Sequence, residues 1–144
     1  MPSFPKVRLI AVGKVKKGWL RDGLEVYCRR LPELEITEIK DSTPEKEGDQ
    51  ILSLLKSSDR LIALSAEGQM FSSIEFADFL SKADSHSLVF AIGSAEGLST
   101  TLKQSAVEIF SLSPMTLPHE IARLILVEQI YRAKTILQGS QYHK

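Results

Sequence analysis

The stretch SLSPMTLPHE, Ser111 to Glu120, decides how the rest of the chain reads. Its prolines, Pro114 and Pro118, stand four residues apart, so neither a helix nor a central strand runs through it. Before it comes an apolar run, VEIF (107–110). After it comes IARLILVEQIYRAKTIL (121–137), whose apolar residues recur at helical spacing. A strand and a helix are thus joined by a stiff segment of Ser, Pro, Met, Thr and His rather than by a short Gly/Asn turn.

Upstream the same alternation recurs. VRLIAV (7–12) closes on Gly13 and reads as a buried strand. Leu20, Leu24, Tyr27 and Leu31 hold helical spacing until Pro32 stops them. LEITEI (34–39) alternates as a strand, and Ser42-Thr43-Pro44-Glu45 opens a helix to about Lys56. RLIAL (60–64) is the next strand, ending in the loop SAEGQMF. Ser72-Ser73-Ile74-Glu75 resembles a capping box for a helix to about Lys82. SLVFAI (87–92) is almost wholly apolar and leads into GSAEG, and Ser99 caps a short helix. VEIFSL is the last strand, and Pro118 takes the favoured first position of the final helix. No repeat, low-complexity tract or linker divides residues 1–144, which predicts a single domain. Five alternations predict an α/β fold, a mainly parallel sheet with helices on both faces. Ligands bind such sheets beyond the carboxyl ends of the strands. The loops SAEG (65–68), GSAEG (93–97) and SPMTLP (113–118) are therefore the candidate site.

The composition, 43% hydrophobic and 25% charged over 144 residues, is that of a soluble globular protein with a sizeable core. No run of roughly 18 apolar residues argues for a membrane span, and the amino terminus MPSFPKVRLIAVGK lacks the pattern of a signal peptide. One cysteine, Cys28, excludes an intramolecular disulfide and suits a reducing cytosol. With only three scattered histidines besides, no metal site is expected. The net charge is zero but uneven: residues 1–30 carry eight Lys/Arg against two Asp/Glu. A basic segment meets nucleic-acid phosphates or is a solvated helix face, and charge alone does not choose. Trp19, at the head of an amphipathic helix, is expected in the core. Left exposed, it would offer a ring for a base to stack on.

GSAEG is neither GxGxxG nor a P-loop, and Glu96 and Glu67 would repel a polyanion. Gly93 and Gly97 serve either a ligand or simply a tight strand-to-helix turn. SPMTLP reads as a wall: prolines hold its amides and carbonyls in place, while Met115 and Leu117 offer apolar surface to a flat ring.

These residues resemble the RlmH (YbeA-like) branch of the SPOUT methyltransferases, bacterial enzymes that methylate a pseudouridine of 23S ribosomal RNA. The matching stretches are VRLIAVGK, EVYCRRLP, LIALSAEG, FAIGSAEGLS, FSLSPMTLPHEIARLILVEQIYRA and the closing QGSQYHK, nearly the whole chain. The resemblance implies a C-terminal deep trefoil knot, a homodimer and S-adenosyl-L-methionine as cofactor. The implied cofactor contacts are Leu64, Gly93, Ser94, Ser113, Pro114, Met115, Thr116, Leu117 and Pro118. Ser94 stands where the family usually has a second glycine, which would cost strain if that position needs positive φ. The implied reaction moves a methyl group to N3 of pseudouridine in the assembled ribosome, in the cytoplasm. His119, Arg123, Tyr142 and His143 are the catalytic candidates, the last two completing the partner's site. Lys144 stands where an arginine is expected. Lys14, Lys16, Lys17, Arg21, Arg29, Arg132 and Lys144 would form the RNA surface. The final helix supports the dimer independently. Ala122, Ile125, Leu126, Ile130, Ala133, Ile136 and Leu137 form one apolar face, and Leu124, Val127 and Tyr131 still lie opposite. Two other readings are a non-catalytic ribosome- or RNA-binding module on the same fold and a flavodoxin-like nucleotide-binding domain.

Overall fold

An apolar run buried on both faces belongs at the centre of a sheet, and from Leu9 to Val12 no residue is more than 1% exposed. In the computed structural model, which describes residues 4–144, this run is β1 (Val7–Val12). The first three residues of the amino-terminal stretch read above for a signal peptide lie outside the described residues. The elements that follow are α1 (Gly18–Arg29), β2 (Leu34–Ile39), α2 (Pro44–Ser53), β3 (Asp59–Met70) and α3 (Ser73–Ser81). Then come β4 (Ser87–Ile92), α4 (Thr100–Ser105), β5 (Glu108–Ser111) and α5 (His119–Leu137). The strands form one parallel sheet in the order β2-β1-β4-β3-β5. Alternate side chains of each strand face opposite helix layers. Leu9, Ile62 and Phe90 pack with Leu24, Phe76, Leu126 and Ile130 of α1, α3 and α5. Ile10, Ala63 and Val89 pack with Ile51 of α2 and Leu102 of α4. The expected α/β architecture with two helix layers is present.

Helix starts follow their capping residues. Thr43 Oγ1 accepts from the Lys46 amide at 3.3 Å, and Ser99 Oγ from Leu102 at 3.1 Å. Ser72 and Glu75 make both bonds of a capping box. Pro118 lies one residue earlier than expected: it is the N-cap, with ψ 140°, and His119 is the first helical residue.

Three other expectations fail locally. β3 does not end at Leu64. Leu64 and Gln69 both face Phe110, so 65–68 bulge and the strand resumes to Met70. Gly68 permits this, because a Cβ there would lie 2.5 Å from the Ile109 carbonyl oxygen. Trp19 is 62% exposed. Leu20 and Leu24 take the inward positions of α1, and Trp19, about 100° before Leu20 on the helix, faces out. Val127, placed on the outer face of α5 by the wheel, is fully buried in its own core together with Leu126 and Ile130. Leu124 is also engaged, against Gly23 of α1. Ile125, assigned to the core face, is only half-buried. With Ile121 it lies outside both core clusters.

The chain path after β5 positions the site. β5 is at one edge of the sheet, yet the first turns of α5 sit by β1 and β2, near the other edge. There the Lys16 amide donates to Glu120 at 2.8 Å, and Arg123 reaches Glu38 of β2 and the Gly13 carbonyl. Residues 112–118 therefore cross over the carboxyl ends of β3 and β4.

Candidate functional site

Beneath this crossing lies a cavity of about 560 Å³, within the usual range for small-molecule sites. Leu64 and Ile92, at the ends of their strand pairings, form its floor, and the Gly93–Leu98 turn forms one wall. Residues 112–119 and Ala122 close the other side. Of the nine residues singled out above for the cofactor, all but Pro114 line it. His119 does too, at the mouth beside Gly13.

Gly93 is required by close approach. A Cβ there would lie 2.7 Å from the Gly97 carbonyl carbon and 2.8 Å from its oxygen. Gly97 closes the turn with φ +82°, its amide donating to the Ser94 carbonyl at 2.8 Å. Ser94 has no positive φ, so the feared strain is absent. Its hydroxyl instead donates to Glu47 Oε1 at 3.4 Å. In the crossing segment, the Met115 amide donates to Ser113 Oγ at 3.0 Å. The backbone groups of Thr116 and Leu117 bond to nothing else among the described residues. Two prolines hold these free groups in place, which suits recognition of a flat ring's polar edge.

Among the described residues no Asp, Glu, Lys or Arg lines the cavity. This corrects the argument against phosphate. Glu96 is exposed, and Glu67 pairs with Lys103 at 2.7 Å, neither facing the ligand space. Lys103 and the Ser65 hydroxyl pull the Glu67 pKa down to about 2. A polyanion is disfavoured by the lack of any cation, rather than by repulsion.

Glu47 was not singled out by the sequence. It is 1% exposed behind the Ser94 wall, and its Oε2 accepts the Ser42 amide at 2.7 Å. Burial pushes its pKa up, and Asp41 adds to that push. In EKEG it reads as part of a solvated face. The available signal was Gly48, where a Cβ would meet Ser99 Oγ at 2.6 Å, so α2 is pressed onto the start of α4.

The catalytic candidates separate. Arg123 is 2% exposed and does not line the cavity. Its pair with Glu38 at 2.5 Å and its bond to the Gly13 carbonyl at 3.1 Å clamp α5 to β1 and β2. A guanidinium so held is committed to the fold. Tyr142 and His143 are also remote from their own chain's cavity. The Tyr142 hydroxyl donates to Glu128 at 3.0 Å and lies 3.5 Å from the Tyr27 hydroxyl. His143 Nδ1 is 3.1 Å from Arg132, whose guanidinium lies 5.0 Å from the Tyr142 ring centroid. Tyr27, burial and Glu128 raise the Tyr142 pKa, so it is a neutral hydrogen-bond donor.

Lys14, Lys16, Lys17 and Arg21 are exposed together before and within the first turn of α1. Arg29 is at the far end of that helix, paired with Glu25 at 2.5 Å. Arg132 is committed to Glu128, and Lys144 is exposed at the terminus. Arg30, part of the matching stretch EVYCRRLP but given no role above, lies 5.6 Å from the Tyr131 ring centroid. Among the described residues no group of three His, Cys, Asp or Glu side chains could hold a metal ion, and no helix is long and apolar enough to cross a membrane.

Fold and site together define a parallel α/β protein with a cavity of small-molecule size beyond its strand ends, between rigid backbone and uncharged walls. The family described as "Predicted SPOUT methyltransferase" matches residues 6–143, and the chain belongs to it. A Prochlorococcus marinus (strain MIT 9303) protein named Ribosomal RNA large subunit methyltransferase H is 55% identical over 95% of this chain and 91% of its own length. Proteins of the same name from Parasynechococcus marenigrum (strain WH8102) and Prochlorococcus marinus (strain MIT 9313) are 52% and 53% identical. They align over 96% and 95% of this chain, and over the same shares of their own lengths.

Proposed function

We propose that this protein uses S-adenosyl-L-methionine to methylate N3 of a pseudouridine in 23S ribosomal RNA of the large subunit, acting in the cytoplasm as a homodimer. The observation that carries this reading is the neutral cavity under residues 112–118, with the unpaired backbone of Thr116 and Leu117 on its wall. The cavity has room for a nucleoside with a short side chain. Its apolar lining suits the adenine faces, and its free amides and carbonyls suit the adenine edge.

When bound, the cofactor supplies an electrophilic methyl group on a sulfonium. The chain's part is to hold that group in line with the attacking nitrogen, and positioning of this kind can supply much of the acceleration. We assign acceptance of the N3 proton to His119, which lines the cavity. Tyr142, a neutral donor, would orient the base from the partner's tail, with His143 beside it. In the dimer we infer, Ile121 and Ile125 of α5 face the second copy, since neither is packed into its own core. The C-terminal knot belongs to the same proposal. It is compatible with a crossing that carries the chain from the edge at β5 to α5 beside β1 and β2.

The test is calorimetric titration with S-adenosylhomocysteine, followed by transfer of labelled methyl groups to large subunits lacking the modification. Micromolar binding with transfer at one pseudouridine is expected. Absence of binding by the intact dimer would overturn the reading in favour of a non-catalytic ribosome-binding module.

A further inference from the structure

We propose that Trp19 is a stacking platform for an unpaired base of the RNA substrate, with Lys14, Lys16, Lys17 and Arg21 gripping the phosphates on either side. This inference rests on the RNA-methylation reading and names where RNA beside the target nucleotide is held.

Trp19 is the chain's only tryptophan and is 62% exposed, although a buried position of α1 lies directly beside it at Leu20. The four cations around it are exposed, and among the described residues none forms an ion pair. The neighbouring acids offset the patch only in part: Glu120 interacts with Lys17, and the four cations outnumber it and Asp22. Asp22 is the one acid between residues 14 and 22. Glu25 pairs with Arg29, and Glu120 accepts the Lys16 backbone amide. The cations also sit where α1 gains nothing from them. Lys17 is the N-cap without a side-chain bond, and the first turn holds no acid. Intrinsic stability would place Ser or Asp at the cap and Glu after it. Local rules broken in this way mark functional surface.

Location supports the same occupant. The Lys16 amide is bonded to Glu120, whose neighbour His119 lines the cavity, so the patch adjoins the mouth of the methyl-transfer site. A flat aromatic ring among unpaired cations is the combination that holds single-stranded nucleic acid, base on ring and phosphate on cation. A lipid surface would want an apolar stripe, and α1 adds only Val26 to its exposed large apolar residues.

Because Trp19 is unique, its fluorescence reports this site alone. The full-length dimer is titrated at low salt with a single-stranded RNA oligonucleotide, with affinity measured separately from the anisotropy of a dye-labelled copy. Quenching of Trp19 emission is expected, fading as salt is raised. Trp19→Ala should weaken oligonucleotide binding about tenfold, within the range for loss of one base stack. Trp19→Phe, which keeps a ring, should recover part of it, and S-adenosylhomocysteine affinity should not change in either variant. Unquenched emission while the labelled RNA binds would overturn the proposal, as would a lack of RNA binding at low salt. A Trp19→Ala protein that becomes monomeric would overturn it too, since the ring would then be covered by a second copy. Failure to bind S-adenosylhomocysteine would count against the methyltransferase reading instead, and the quenching result does not depend on it.

Discussion

At the amino end of the sheet, β1 and β3 meet in an ion pair: Arg8 lies 2.7 Å from Asp59, which also accepts the Lys56 amide at 2.7 Å. At the carboxyl end β3 and its neighbour β4 lead into a neutral cavity whose wall leaves the Thr116 and Leu117 backbone groups free. Both ends are hollow. The amino-end hollow, about 970 Å³, is the larger and is lined by Lys6, Arg8, Glu33, Glu35, Asp59 and His86 among others. Its half-buried charges are spent: Arg8 on Asp59 and on the Leu54 carbonyl at 2.9 Å, and Glu33 on Lys134 at 2.8 Å, while Lys6 and Glu35 face solvent. The carboxyl-end cavity, about 560 Å³, holds no charge, and its wall keeps hydrogen-bonding capacity unused. Size therefore does not locate the site. Unspent bonding capacity on a rigid frame does.

The largest effect expected tests the amino end. The Asp59 side chain is 4% exposed. Asp59→Ala would strand Arg8 and the Lys56 amide, costing about 3 kcal/mol of unfolding free energy in urea. Affinity for S-adenosylhomocysteine should be unchanged. A matching loss of affinity would mean that the two ends are not independent.

Next in size is Gly93→Ala at the carboxyl end. Its Cβ would press on Gly97 backbone at 2.7–2.8 Å, and backbone cannot swing aside as a long side chain can. About 1–3 kcal/mol of overpacking is expected, together with at least tenfold weaker S-adenosylhomocysteine binding by calorimetry. Asp59→Ala differs in the ligand: stability falls there too, but binding holds.

Much of this contrast was legible beforehand, though unequally. Apolar runs such as VRLIAV and SLVFAI marked β1 and β4, and Thr43, Ser72 and Ser99 marked three helix starts, because these signals are local. The walls of the cavity were legible for the same reason: prolines and glycines declare their backbone constraints in one residue. Features made by contact between distant residues were not. Gly68 lets β3 continue only because β5 passes beside it, and Trp19 faces water only because Leu20 and Leu24 fill the core positions. Arg123 was legible as a catalytic candidate, but its bonds to Glu38 and Gly13, far away in sequence, were not. Glu47 was silent because its burial is created by α4 and the Ser94 turn.

A smaller effect is expected from the crossing segment. Replacing Pro114 and Pro118 together by Gly leaves the cavity walls but frees their backbone. Each proline contributes roughly 0.4–1 kcal/mol by restricting the chain, so S-adenosylhomocysteine affinity should fall about five- to thirtyfold. Unfolding free energy in urea should fall by no more than that sum, less than for Asp59→Ala. Unchanged affinity would show that the segment is rigid without its prolines, and the wall would then owe its order to packing of Leu112 and Leu117.

The smallest effect separates a slope from a level. Glu47 is buried behind the cavity wall, and burial raises its pKa above the ordinary carboxylate value of 4.5. Between that value and the raised one, the folded protein holds a proton that the unfolded chain has released. Stability must therefore fall as pH climbs through this window. Glu47→Gln removes the titration but also one acceptor oxygen, so the variant may not be compared at a single pH. The lost acceptor shifts its stability by a constant at every pH, whereas the lost ionisation changes only the slope. Urea unfolding from pH 4 to pH 8 should show the parent protein losing stability relative to the variant above 4.5, with a constant offset below it. Parallel curves across the range would mean that Glu47 stays ionised at no cost, its charge already met by the Ser42 amide and the Ser94 hydroxyl.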